Sequence, residues 1–333
     1  MHPSHPLGNP FEIPKERDSN HKAFVKGVLG KGAPTLPKPN EDFGTETDLI
    51  LSAGDQNQIE NERIFSEIIL RERRALREFF GKEIAVPPLP KEATRKRILE
   101  WRRLGFELHY LPKISMAEIK RDPKGKILEV IPIDFPGWKK KPGRPYTPNC
   151  LYGMEFFDEV EVGNLDPSVL DLPGSWILID AHDKPNYDQG DQMYENDPLA
   201  PVLEKFRKEG VLTDFRIKGS RFCLSPQELE NPRVLEVFVK TLNLDMVSGF
   251  AIGIPRMIEF NILGNIYYPQ WGKGTTSEWF SDKDRDGFRR LRGGGSDFGG
   301  LSLVVWSDQN VLSVSYGFRL IVRFPSNQEE DKK

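Results

Sequence analysis

The sequence predicts an α+β chain whose first half is mainly helical and whose second half mixes strands with a few capped helices. Three observations carry this. A stretch from Asn57 to Lys82 repeats apolar residues at helical spacing. SWILID, Ser175 to Asp180, is a short apolar run with strand length. From Phe250 onward, brief apolar and aromatic runs are separated by glycine-rich turns. The chain has 333 residues, 38% hydrophobic and 29% charged, enough to bury a large core.

Residues 1–55 are rich in Pro, Gly, Asn and charge without sustained periodicity, and read as a flexible N-terminal arm. A helical or mixed region, 56–145, follows. Phe65, Ile68, Ile69, Leu76, Phe79 and Phe80 mark one helical face, and Gly81 stands where a C-terminal cap belongs. KEATRKRILEWRRLGF reads as a second helix ended by Gly105, before strand-like FELHYLP and KILEVIPI. The proline-rich Pro136 to Asn149 is the expected linker or long surface loop, and places a domain boundary near 145.

In the second region, 146–325, DPLAPVLEKFRKEG reads as a helix with Asp197 as N-cap and Gly210 past its end. SPQELENPRVLEVFVKTLNL opens with Ser225, Pro226 and Glu228, the pattern of a capping box. FAIGI, FNILGNIYY, EWFSD, LSLVVW and VLSVSYGFRLIVRF read as strands and loops. Residues 326–333 are a charged tail expected to fray.

Net charge of −3 indicates no global attraction to nucleic acid or anionic membrane. KKKPGRP resembles half of an Arg-Gly-Arg-Pro minor-groove hook, but Pro142 replaces the first arginine, and a solvated loop is the preferred reading. The two cysteines, Cys150 and Cys223, lack metal-ligand spacing; two independent thiols in a reducing compartment are favoured over a bridge. No window approaches a membrane span and the N-terminus lacks a secretory pattern, so a cytoplasmic protein is expected.

LRGGGSDFGG admits three readings, a phosphate loop, a slack linker or the frame of a binding surface, and two other segments offer calcium binding or catalysis. A phosphate loop fails because a strand, not a helix, follows the glycines. Asp282, Asp284 and Asp286, with Gly287 after them, resemble the start of a calcium loop, making calcium the candidate ion; a solvated turn pairing aspartates with arginines competes and is favoured. For catalysis, the acidic loop around Asp180, His182, Asp183 and Asp188 is the best candidate, although no partnered Ser or Cys stretch accompanies it. The last reading treats the glycines as the frame of a binding surface.

Four pieces in order strengthen that last reading. SRFCLSPQELENP, GKGTTSEWFSD, RRLRGGGSDF and SYGFRLIVRF resemble, over about Leu165 to Phe324, motifs of the formylglycine-generating enzyme or sulfatase-modifying-factor family. The resemblance implies a C-type-lectin-like fold for the C-terminal domain. It places Glu278 and Trp279 in the core beside Arg292, makes Gly293 and Gly294 a tight turn, and has Gly317, Phe318 and Arg319 begin a central strand. That family's oxidase activity needs copper-binding cysteines between the Gly-Gly segment and the last strand; here the interval contains none, so neither that cofactor nor that activity is expected.

The same fold serves variable proteins of diversity-generating retroelements, where the segment before Gly-Phe-Arg is mutagenised at adenine-containing codons. From Ser296 to Tyr316 only Trp306 and Gln309 fall outside the residues such codons reach. The resulting expectation is a non-catalytic binding protein for a protein or glycan ligand. Phe298, Trp306 and Tyr316 are its candidate anchors, and core packing is the alternative for Trp306 and Tyr316. Ser296, Asp297, Ser302, Ser307, Asp308, Asn310, Ser313 and Ser315 would supply hydrogen bonds. A divergent enzyme, or an assembly protein that oligomerises through its N-terminal helices, remain the alternatives.

Overall fold

The computed structural model describes residues 53–138, 154–245, 247–302 and 304–325. The expected arm, the KKKPGRP piece, Cys150 and the tail lie outside them, apart from the last residues of the arm. The described residues are mixed α and β, with two four-stranded sheets and a separate hairpin.

Helix α1 spans Ala53–Phe80. It ends at Gly81, whose φ of +70° suits glycine, and the Gly81 N–H donates to the Arg77 carbonyl at 2.9 Å. Its apolar stripe, Ile68, Leu76, Phe79 and Phe80, is buried. Within that stripe lies a fully buried Glu72. The Glu72 carboxylate accepts from His109 Nδ1 at 3.1 Å, Arg71 Nε at 3.0 Å, the Tyr110 N–H at 3.0 Å and Tyr267 O–H at 2.6 Å. Burial alone would raise this carboxyl, yet His109, Arg71 and Tyr267 hold it below the usual range. Burial pushes the His109 imidazolium down, so the neutral ring donates to Glu72 and accepts from Tyr268 O–H at 2.7 Å. The helix is thus a core element. Among its described side chains the apolar face is covered and Leu70 is exposed.

Helix α2, Arg95–Arg103, is capped by Thr94, and strand β1, Phe106–Leu111, follows Gly105 at φ +76°. Strands β2, Ala117–Arg121, and β3, Ile127–Pro132, form the two-stranded hairpin. Gly137 and Trp138, expected to begin a linker, instead pack on α1: the Gly137 N–H donates to the Phe79 carbonyl and the buried indole meets the Phe79 ring edge-on. Helix α3, Met154–Glu161, leads to β4, Ser175–Asp180, which is buried throughout. Strand β1 pairs with β4 along its whole length. The expected boundary near 145 lies outside the described residues; the part of the chain before it supplies a strand to the main sheet.

Helix α4 is Ala200–Lys208. Its N-cap is Leu199 rather than the expected Asp197, whose carboxylate accepts from the Leu199 N–H at 2.8 Å two residues before the helix cap. The predicted single helix from Ser225 is two: α5, Pro226–Leu229, with the full Ser225–Glu228 capping box, and α6, Pro232–Thr241, restarted by Asn231 as N-cap. After β5, Ala251–Gly253, comes α7, Met257–Ile266, where the sequence suggested a strand. Residues 257–264, Glu259 and Asn261 included, are buried on every side, and a segment with no exposed face carries no apolar period to tell helix from strand.

Strands β6, Ser277–Lys283, β7, Arg289–Gly293, and β8, Val304–Asp308, form an antiparallel meander. Short β9, Tyr316–Gly317, pairs in parallel with the start of β6, and β10, Ile321–Arg323, enters the first sheet between β4 and β5. Gly317 to Leu320, all buried, therefore join the two sheets. Among the described residues no helix is long and apolar enough to cross a membrane.

Candidate ligand face

The second sheet ends in a loop that must cross it. Asp308 lies opposite Arg289, at the far end of the meander, whereas Tyr316 lies opposite Ser277, at the near end. Residues 309–315 thus traverse the height of the sheet. Exposed Asp308, Asn310, Leu312 and Val314 alternate there with half-buried Gln309, Val311, Ser313 and Ser315.

Buried charge fixes what lies beneath. Glu278 receives a two-pronged contact from Arg319, Nε to Oε2 at 3.1 Å and Nη2 to Oε1 at 3.0 Å, and also accepts from Tyr194 O–H. Arg319 Nη1 donates to the carbonyls of Asp180 and His182, at 2.5 and 2.9 Å. Both side chains are wholly buried, so removal of either would strand the other. Beside this pair, Arg221 clasps Asp197 at 2.7 and 2.6 Å and reaches Asp180 with Nη1. Burial would raise the Asp180 carboxyl, but Arg221, the His182 hydrogen bond and Arg319 hold it well below the usual carboxylate range.

The arginine beside Glu278 is therefore Arg319, and the expected Arg292 is corrected. Arg292 is the register partner of Trp279, as Gly293 is of Glu278, but its half-buried guanidinium makes no contact with Glu278. It donates to Ser307 Oγ at 2.7 Å and lies 4.2 Å from the Tyr316 ring centre. Trp279 is buried, with its indole N–H donating to the Leu224 carbonyl at 3.0 Å and its ring edge-on to Tyr316.

Lys184 secures the glycine turn. Its buried ammonium donates to the carbonyls of Gly294 at 2.6 Å, Gly274 at 2.8 Å and Thr276. Burial lowers its pKa to about 8 against the pull of Glu278. Gly294 has φ +87°, and a side chain there would press on Phe260. Just beyond, Ser296 is half-buried with its N–H donating to the Gly274 carbonyl at 3.0 Å, and Asp297 is exposed. The Phe298 side chain lies outside what is described. Ser302 is corrected: it is buried and its hydroxyl donates to the Gly299 carbonyl at 2.7 Å, so it is part of the turn rather than of the surface. Trp306 is half-buried beneath the Arg289 guanidinium, 5.1 Å from its ring centre.

No protein-family model, curated protein or solved structure matches the chain. The site rests on its own geometry.

That geometry brings the acidic loop to the same place. Gln192 Nε2 donates to the Val314 carbonyl, a side chain at Gly190 would meet Val314, and Tyr187 N–H donates to Thr275 Oγ1 at 2.7 Å. The loop of the catalytic alternative therefore borders the crossing segment. Its dyad forms, with His182 Nδ1 at 2.7 Å from Asp180 Oδ1, but the ring is packed on Gly105, where an added Cβ would sit 2.2 Å from it. The dyad is a joint between β4 and the end of α2.

The three aspartates of the calcium reading do not converge. Asp282 accepts from the Met257 N–H at 2.6 Å, Asp284 holds Arg289 through its N–H at 3.0 Å and Nε at 2.9 Å, and Asp286 is exposed. Among the described residues no group of three or more His, Cys, Asp or Glu is placed to hold a metal. Sequence reasoning missed Lys184, Tyr194 and Gln192. Only Arg221 had a signal, since it stands within SRFCLSP, a piece already singled out.

Proposed function

We propose that the chain is a non-catalytic ligand-binding protein with a C-type-lectin-like fold, and that residues 296–316 form its changeable face. One observation carries the reading: both ends of this segment are tied to buried charge, Gly294 through Lys184 and Arg319 through Glu278, while Asp297, Asp308, Asn310, Leu312 and Val314 face solvent. A surface meant to vary needs that division, because exposed substitutions away from buried contacts cost little stability. The order of the capped helix at Ser225, the buried Glu278–Trp279 strand, the glycine turn and the Gly-Phe-Arg joint supports the lectin-like assignment. Trp306 and Tyr316, each half-buried under an arginine, are rigid aromatic anchors; Asp308, Asn310 and the serines at 307, 313 and 315 are adaptable partners.

Sequencing the gene and its neighbouring DNA across related isolates tests this. The expected result is variation concentrated in codons 296–316, with a near-repeat of that segment and a reverse transcriptase close by. Variation spread evenly through codons 277–319 would overturn the reading.

A further inference from the structure

Arginines that leave open water in this protein find an acceptor, with one exception. Among the described residues, every other buried or half-buried arginine meets a carboxylate or a backbone carbonyl. Half-buried Arg292 meets neither. Its Nε donates to Ser307 Oγ at 2.7 Å, and its guanidinium lies 4.2 Å from the Tyr316 ring centre. Nη1 and Nη2 have no partner among the described residues, and both reach solvent. A hydroxyl acceptor leaves the full charge in place, and the Ser307 hydroxyl keeps its own proton to donate.

Neighbouring charges are accounted for elsewhere. Arg289 holds Asp284 and is the register partner of Asp308, while Glu278 and Asp297 both act on Lys184. Lys273 and Arg285 are also unpaired, but they are exposed, and water solvates them. An unpaired cation costs more at a half-buried position, and a counter-anion relieves that cost. The end of a guanidinium offers two N–H groups in the geometry of a carboxylate. One excess charge also calls for a monoanion, since a nearly doubly charged phosphate would bring surplus negative charge towards Asp308, next to Ser307. Exposed Leu312 and Val314, on the segment that leads into Tyr316, suit apolar side chains better than sugar hydroxyls, which would lose hydrogen bonds against them.

We infer that Arg292 is the charged anchor of the ligand face and takes an aspartate or glutamate carboxylate of a polypeptide ligand, Nη1 and Nη2 donating to its two oxygens. The Ser307 hydroxyl stands beside them as a further donor. This rests on the binding-face reading above and adds to it the chemistry of the ligand. Arg292 is on β7, outside residues 296–316, so its charge persists when they change.

The test uses the full chain with isotopically labelled arginine, followed by nuclear magnetic resonance at about 0.15 M salt. The probes are synthetic peptides in which valine alternates with glutamate, with glutamine or with phosphoserine. The expected result is that the glutamate peptide shifts the Arg292 Nε–H resonance and the glutamine peptide does not. Arg292→Gln should weaken glutamate-peptide binding about tenfold with the unfolding midpoint unchanged, because no buried partner is stranded. Arg292→Lys, which keeps the charge without the fork, should recover part of that loss. Equal binding of the glutamine peptide, tighter binding of the phosphoserine peptide or of glucuronic acid, full affinity in either variant, or a silent Arg292 resonance would overturn the anchor. Gene variation concentrated in codons 296–316 together with a silent Arg292 would leave the binding face standing without this anchor. A carboxylate held at Arg292 in a gene that varies evenly would do the reverse.

Discussion

Two neighbouring regions handle their polar groups in opposite ways. Under the sheet, Glu278, Arg319, Asp180, Arg221 and Lys184 are buried and fully engaged with one another or with backbone carbonyls. Across the sheet, Asp297, Asp308 and Asn310 are exposed, and the contacts of residues 309–315 run largely through backbone atoms: the Ser313 carbonyl accepts from Cys223, the Ser315 carbonyl from Ser277, and the Val314 carbonyl from Gln192. The difference teaches how a loop can be held in place without being specified by its side chains. Backbone groups are the same in every residue but proline, so such anchoring survives substitution.

The largest expected effect breaks the buried side of this contrast. Arg319→Leu alone should destabilise by about 3–5 kcal/mol, because Glu278 would stay buried without its counter-ion, with the neutral Tyr194 hydroxyl as its remaining donor. The double replacement with Glu278→Leu should cost clearly less than the sum of the singles. Urea unfolding of the three variants measures both.

A smaller effect comes from Asp282, whose carboxyl burial raises to about 6 despite the Met257 N–H. Its folded-state value exceeds the unfolded one, so the folded protein binds more protons between about pH 4 and 6, and stability falls as pH rises through that window. Asp282→Asn keeps an acceptor for Met257 and should raise stability at pH 7 by up to about 3 kcal/mol, flattening the pH dependence between 4 and 6. Thermal unfolding at several pH values measures it. An unchanged slope in that window would contradict the assignment.

Next is the turn that launches the face. Gly300 has φ +65°, and an added Cβ would lie 2.7 Å from the Gly272 carbonyl oxygen, a backbone atom that cannot swing away. Gly300→Ala should therefore cost roughly 1–3 kcal/mol in chemical denaturation. Smallest of all are Asn310→Ala, Leu312→Ser and Val314→Ser, each expected within about 0.5 kcal/mol of the parent.

How much of this was legible from residues alone follows the same division. Local grammar was readable: the Ser225–Glu228 capping box, the buried strand Ser175–Asp180, and the stops at Gly81 and Gly105 are set by nearby residues. Long-range charge pairing was not. Glu72 stands among charged helix neighbours that face water, and nothing local says that His109 and Tyr267 will enclose it. Lys184 looked like one more loop lysine until three distant carbonyls met its ammonium. Helix α7 was lost for a different reason, its burial on every side erasing the period that identifies a helix. The partner of β1 was hidden because pairing across the long interval to β4 leaves no trace in either strand's pattern.

The central claim is that frame and face tolerate change differently, and one experiment measures it directly: two displayed libraries of the full chain, one randomised at positions 297, 308, 310, 312 and 314, the other at 278, 279, 318 and 319, each scored for the fraction of clones that resist proteolysis. The account predicts that most clones of the first library stay folded and that nearly all of the second are lost. Equal losses in the two libraries would contradict it.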